Sequence, residues 1–309
     1  MIKKLIPLFV LLLLVSCTTS GPDYNYRTGT EGIKVEFLEG IYDTIYENED
    51  LIISLNIENL GAYDSNNIYF SVFTERDVID NPTKSFEIGT LEGRKLNKNF
   101  GDVEYKDIET KVKKIFVAEE INSKIRIDYC YPYESFLSAE ICVDSDPRDE
   151  FEQNIAGCPT YDKSFTQGQG GPVAITYVDP VFVPSGNGVI PKFKIIVENV
   201  GDGVVVNYGN YKGACQASSY DKSNYGVIDV DDVYLGNVKL TCNRNKLTVE
   251  EVQRGNEFYE ADRAVMTCTG ELIEKQEMYA TLLRIGIKYG YKDSVEQEIN
   301  VFKENYIES

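Results

Sequence analysis

Hydrophobic and polar residues alternate along the chain in short runs. Ile53, Leu55 and Ile57 are separated by Ser54, Asn56 and Glu58, the period of two that belongs to a strand buried on one face. The run ends at Asn59-Leu60-Gly61, where glycine supplies a turn. The same pattern predicts strands at 67–73, 103–108, 125–131 and 140–143. Further on it predicts them at 204–208, 227–235, 237–242, 264–268, 280–289 and 295–302. One stretch is ambiguous, because Ile108, Val112, Ile115 and Phe116 also fit a helical stripe.

Several of these segments occur twice. Ile33-Lys-Val35-Glu-Phe37 matches Val173-Ala-Ile175-Thr-Tyr177, and Ile53 to Gly61 matches Phe193 to Gly201, both at an offset of 140. Near the end of each half, Ile127-Asp-Tyr129-Cys130-Tyr131 matches Ile287-Lys-Tyr289-Gly290-Tyr291. Glu140-Ile141-Cys142-Val143 likewise matches Glu298-Ile299-Asn300-Val301, with the offset grown to about 160. The chain reads as a duplication whose second copy carries roughly 20 extra residues.

Many short strands set apart by turns predict an all-β chain of two tandem, Ig-like antiparallel β-sandwiches. The expected division is a signal segment at 1–17, a flexible spacer at 18–30 and a first sandwich at 31–147. A linker at 148–170, a second sandwich with its insertion at 171–303 and a tail at 304–309 complete it. The Asn-x-Gly strand ending resembles that of the CARDB modules, the cell-adhesion-related Ig-like domains of bacterial and archaeal surface proteins. The whole chain is similar to exported surface lipoproteins built from two such units, a resemblance that carries no known activity. It departs from antibody domains in having no tryptophan and no tyrosine two residues before Cys130.

The N-terminus predicts export. Lys3 and Lys4 precede an apolar run from Leu5 to Val15, 11 residues long. A spanning helix needs roughly 20, so the run reads as the hydrophobic region of a signal peptide. Leu14-Val15-Ser16-Cys17 resembles the lipobox of bacterial lipoproteins, which implies cleavage before Cys17 and its lipidation. Cleavage that leaves Cys17 unmodified, or an uncleaved short anchor, is the alternative.

Composition narrows the chemistry. The 309 residues contain 31 basic and 50 acidic side chains, no histidine and 7 cysteines. Without imidazole there is no Ser-His-Asp or Cys-His mechanism, and catalytic zinc loses its usual ligand. The net charge of −19 disfavours nucleic acid as a partner, because phosphate binding needs a basic surface. No phosphate loop, Gly-x-Ser-x-Gly or other cofactor motif occurs, so no cofactor is implied. Ser219-Tyr-Asp-Lys222 fits Ser-x-x-Lys but lacks the Lys-Thr-Gly that accompanies it in penicillin-binding enzymes.

Setting Cys17 aside leaves six cysteines, an even number that in an exported chain predicts disulfides. Gly290 and Asn300 stand where the second copy would match Cys130 and Cys142, so these two are absent together and are expected to pair. Cys242 and Cys268 lie in similar threonine-bearing strands and form a second expected pair. Cys158 and Cys215 remain as the third. With no Cys-x-x-Cys spacing, metal ligation is disfavoured.

Two acidic runs are candidates for calcium: Asp144, Asp146 and Asp149 at the boundary between halves, and Asp229, Asp231 and Asp232 in the second half. Neither has a full calcium-loop pattern. Tyr129, Tyr131 and Tyr133 share one strand face, which reads either as a sugar-stacking platform or as a structural row repeated at Tyr289 and Tyr291. These features favour a non-catalytic protein, lipid-anchored on the outer face of the membrane, that meets a protein or polysaccharide at the cell surface. The alternatives are an envelope hydrolase or accessory subunit using acidic residues of the second half, and a solute- or polysaccharide-binding lipoprotein.

Overall fold

The computed structural model of the chain describes residues 25–38, 44–80, 84–116, 118–146, 158, 162–216, 221–249, 252–254, 257–259 and 263–304. The chain is all-β, with sheets that are antiparallel except where Thr44–Tyr46 runs parallel to residues 300–302, and a single short α-helix, Tyr211–Cys215, among the described residues.

Its axis is a two-stranded ribbon. Glu120–Val143 and Tyr279–Phe302, each 24 residues long, pair antiparallel over their whole length, from Tyr279 opposite Val143 to Phe302 opposite Glu120. At about 3.4 Å per residue the ribbon runs for roughly 80 Å. Each long strand merges two segments that the sequence pattern separates, so the breaks between 125–131 and 140–143 and between 280–289 and 295–302 are absent. The alternation of apolar residues is unbroken across Pro132 and Gly290, and the two face each other at the ribbon's centre. An extended pair can run through both.

The ribbon belongs to a ten-stranded sheet. Ser65–Thr74 and then Ser85–Leu91 extend one side of it, while Thr44–Tyr46, Val204–Val206, Val227–Val230 and Tyr234–Leu235 lie along the other. Odd-numbered residues of both long strands face inward, from Ser123 to Ile141 on one and from Leu283 to Tyr291 on the other. Two smaller sheets cover this inner face. One consists of Ile33–Phe37, Asp50–Asn59 and Val103–Lys111. The other is built on Val173–Ser185, Gly188–Asn199 and Arg263–Thr269. A single apolar core runs under both, containing Ile53, Leu55, Phe70 and Ile127 as well as Phe193, Ile195, Met266 and Ile285. The two halves therefore meet in one shared sheet and one core. The ambiguous stretch resolves as strand up to Lys111, with Ile108, Val112 and Ile115 buried and Phe116 exposed.

The extra residues of the second copy are visible as an excursion. Val206 and Tyr225 bridge to each other, 18 residues of sequence lie between them, and the described ones, 207–216 and 221–224, lie outside the strands. They carry the helix Tyr211–Cys215, which packs Ala214 and Cys215 against Cys130 and Val206 on the outer face of the ribbon. The excursion accounts for an offset that grows from 140 to 158. At 158 the counterpart of Tyr291 is Tyr133, not Tyr131, and side-chain contacts agree with this assignment.

The disulfides correct two of the three expected pairings. Cys130 joins Cys215, Cys142 joins Cys158, and Cys242 joins Cys268. Cys130 and Cys142 cannot reach one another. They lie 12 residues apart on one extended strand, about 40 Å, whereas a disulfide needs Cα atoms within about 7 Å. Cys158 consequently takes Cys142 (Cα–Cα 5.3 Å), and Cys215 takes Cys130 (5.9 Å). Both cysteines are missing from the second copy because their partners lie in the linker and the excursion, each of which occurs once. Cys242 and Cys268 sit directly opposite in neighbouring strands. Three disulfides mark an oxidising, extracytoplasmic setting. No helix among the described residues is long and apolar enough to cross a membrane.

Candidate functional site

The acidic candidates do not converge. Asp229 pairs with Lys246 at 3.3 Å, Asp231 with Lys288 at 3.4 Å and Asp232 with Lys239 at 2.6 Å. Asp146 pairs with Lys275, and the Asp144 carboxylate accepts the backbone N–H of Asp146 in a local turn. Each carboxylate is thus turned to its own lysine or backbone partner, and no group of three metal-ligating side chains forms among the described residues. Asp149, Ser219 and the lipobox residue Cys17 lie outside the described residues.

The tyrosines are core residues. Tyr129, Tyr131, Tyr133, Tyr289 and Tyr291 are each at most 3% exposed, which removes the sugar-stacking platform. They occupy the middle of the inner ribbon face, where Tyr131 is opposite Tyr291 and Tyr133 opposite Tyr289. Burial pushes all five hydroxyls well above the ordinary tyrosine value of 10.0, and the Asp293 carboxylate adds to this at Tyr129. Three of the hydroxyls, those of Tyr133, Tyr289 and Tyr291, are fastened to the ends of the small sheets. Tyr133 donates to Asn59 Oδ1 (2.9 Å) and Tyr291 to Asn199 Oδ1 (3.1 Å). Tyr289 and Ser135 share a bond of 2.9 Å, and Ser135 Oγ also donates to the carbonyl of Val173.

Two clefts border the junction. The first, about 320 Å³, opens between Thr30–Val35 and Val200–Asp202, with Tyr129, Tyr131, Tyr291 and Asp293 at its base. Tyr129 donates to Asp293 Oδ2 there at 3.0 Å. The second, about 410 Å³, is assembled from residues 25–28, 136–138 and 164–169. These include the ends of the segments expected to be a flexible spacer and a linker. Instead of hanging free, they bond to one another, through Gly29 N–H to Gln167 O (2.7 Å) and Gly170 N–H to Gly29 O (2.9 Å). Gln169 is buried and uses both ends of its amide on the backbone of Ile175.

Arg27 projects to the second cleft. Its guanidinium carbon lies 5.2 Å from the ring centroids of both Tyr26 and Phe136. Cation–π contact of this kind holds the side chain in place without neutralising it. Its Nε is buried and has no hydrogen-bond partner among the described residues. Sequence reading passes over Arg27, because a lone arginine in a polar N-terminal stretch has no pattern to mark it.

No family model and no curated protein matches the chain. Among solved structures it has slight similarity to the secreted serine protease VesC from Vibrio cholerae, at 12% identity and a TM-score of 0.20. That match covers 86% of this chain but 51% of the protease, so the chain spans about half the length of that neighbour. The CupB6 tip adhesin from Pseudomonas aeruginosa is similar at 8% identity and a TM-score of 0.20, over 89% of this chain and 98% of the adhesin. Similarity at this level carries no argument about activity.

Proposed function

We propose that this is a non-catalytic surface protein, exported and held to the outer face of the membrane by a lipid on Cys17. In this reading its two halves are CARDB-like, Ig-like sandwich units fused along one ribbon, and its role is adhesion, envelope structure or ligand presentation. The observation that carries the reading is the combination of a signal-like N-terminus ending in Leu-Val-Ser-Cys with an all-β body closed by three disulfides. Such a body keeps its shape outside the cell and projects over roughly 80 Å. A hydrolase working through Asp229, Asp231 and Asp232 is disfavoured, since each is ion-paired to a separate lysine.

Intact mass of the protein taken from its own membranes tests the anchor. A chain beginning at Cys17 with added acyl mass supports it, and an unmodified Cys17 overturns it. Crosslinking in intact cells then identifies the partner.

A further inference from the structure

We propose that the cleft around Arg27 binds a hydroxylated carboxylate, a ligand of the uronic-acid class. The inference goes beyond the surface-protein reading and does not depend on whether Cys17 is lipidated.

Charge is the first argument. In a chain with 50 acidic residues, the described side chains lining this cleft include no carboxylate, and Arg27 is the one charged group among them. The net charge of −19 is long-range, and salt screens it beyond about 8 Å, so the local cation decides what the cleft attracts.

Satisfaction of hydrogen bonds is the second. Lysines around Asp229, Asp231 and Asp232 take carboxylate partners, but the Nε of Arg27 meets no acceptor among the described residues. Tyr26 and Phe136 engage the guanidinium only through their ring faces or edges. A partly buried cation with an unused donor is unfavourable by itself, and a ligand oxygen relieves it. The planar fork of arginine fits a carboxylate through two parallel bonds.

The neutral lining is the third. Thr28, Ser138, Ser164, Thr166 and Gln167 offer hydroxyls and an amide, groups that recognise hydroxyls on a ligand. A single arginine balances a single negative charge, which favours carboxylate over doubly charged phosphate. About 410 Å³ falls within the range of small-molecule sites.

The test is calorimetric titration of the full exported chain with sodium glucuronate, glucose and inorganic phosphate in turn. Glucuronate is expected to bind saturably, glucose at least tenfold more weakly, and phosphate not to compete. Arg27→Gln should weaken glucuronate at least tenfold. Ser138→Phe, at an exposed position on the cleft, should block it sterically while leaving the arginine and the melting midpoint intact. Three results each overturn the inference: no saturable binding of glucuronate, binding retained in both variants, or phosphate competing as well as glucuronate.

Discussion

The hydroxyl of Tyr133 donates to the side-chain oxygen of Asn59 at 2.9 Å, joining the middle of the ribbon to the end of a covering strand. Asn59 in turn donates through Nδ2 to the carbonyls of Tyr63 (2.7 Å) and Leu91 (2.9 Å), bracing the turn that follows it. The second copy repeats the device. Tyr291 donates to Asn199, Asn199 donates to the Gly203 carbonyl at 2.9 Å, and the Gly203 N–H donates back to the Tyr291 hydroxyl at 2.8 Å. The glycine of each Asn-x-Gly is required by this tyrosine. A Cβ at Gly61 would overlap the Tyr133 hydroxyl, and one at Gly201 would stand 2.6 Å from that of Tyr291.

Asn59→Ala should therefore cost about 2–4 kcal/mol of stability, since it orphans the buried Leu91 carbonyl and the part-buried Tyr63 carbonyl and leaves the Tyr133 hydroxyl without its acceptor. Asn199→Ala should cost less, because Asn199 is only half-buried and solvent can replace its partners. Urea unfolding of the two variants checks the order, and an equal or reversed pair would contradict it.

Peptide mapping without reductant should recover Cys130 linked to Cys215 and Cys142 linked to Cys158. Any peptide joining Cys130 to Cys142 would be incompatible with a continuous strand between them. Removing the Cys130–Cys215 bridge should destabilise the chain by about 1.5 kcal/mol more than removing Cys142–Cys158. The first closes a separation of 85 residues and the second one of 16, and closure entropy grows as the logarithm of that length.

Five buried tyrosines give the stability an alkaline limit. Their folded-state values lie above the ordinary 10.0, so their contribution is whole below about pH 10. Above it the unfolded chain releases protons that the folded chain retains, and the balance moves toward unfolding. The melting midpoint should fall steadily as pH rises from 10, with these phenols ionising only as the protein unfolds. Ultraviolet titration followed beside circular dichroism would show this, and early ionisation of all 22 tyrosines in folded protein would refute it.

Gly290→Ala should loosen the excursion. A Cβ at this position would lie 2.5 Å from Tyr211 Cβ and 2.8 Å from a Val206 methyl, so the helix carrying Cys215 must shift. A cost of about 1–3 kcal/mol is expected, as for other overpacked sites. Hydrogen exchange should speed up in 207–215 while the distant strand Asp50–Asn59 stays protected.

Much of this architecture is legible in residues alone. The strand period, the duplication and the Asn-x-Gly endings follow from local rules, because alternation and turn chemistry act over a few neighbours. The even number of body cysteines likewise indicates an oxidised exterior protein. Cys130 and Cys142 look like a pair only while a turn is assumed between them. Which residues pair is a matter of distance in space, and the unbroken run through Pro132 separates the two by roughly 40 Å. Nor does sequence say that Glu120–Val143 of one copy pairs with Tyr279–Phe302 of the other, since strand pairing across such a separation depends on the packing of the whole core. The tyrosines show the same boundary. Their spacing places them on one face, but only the two covering sheets make that face an interior. Arg27 belongs wholly to the tertiary structure: segments more than 100 residues apart meet around it, and their meeting turns an unremarked arginine into the charged group of a cleft.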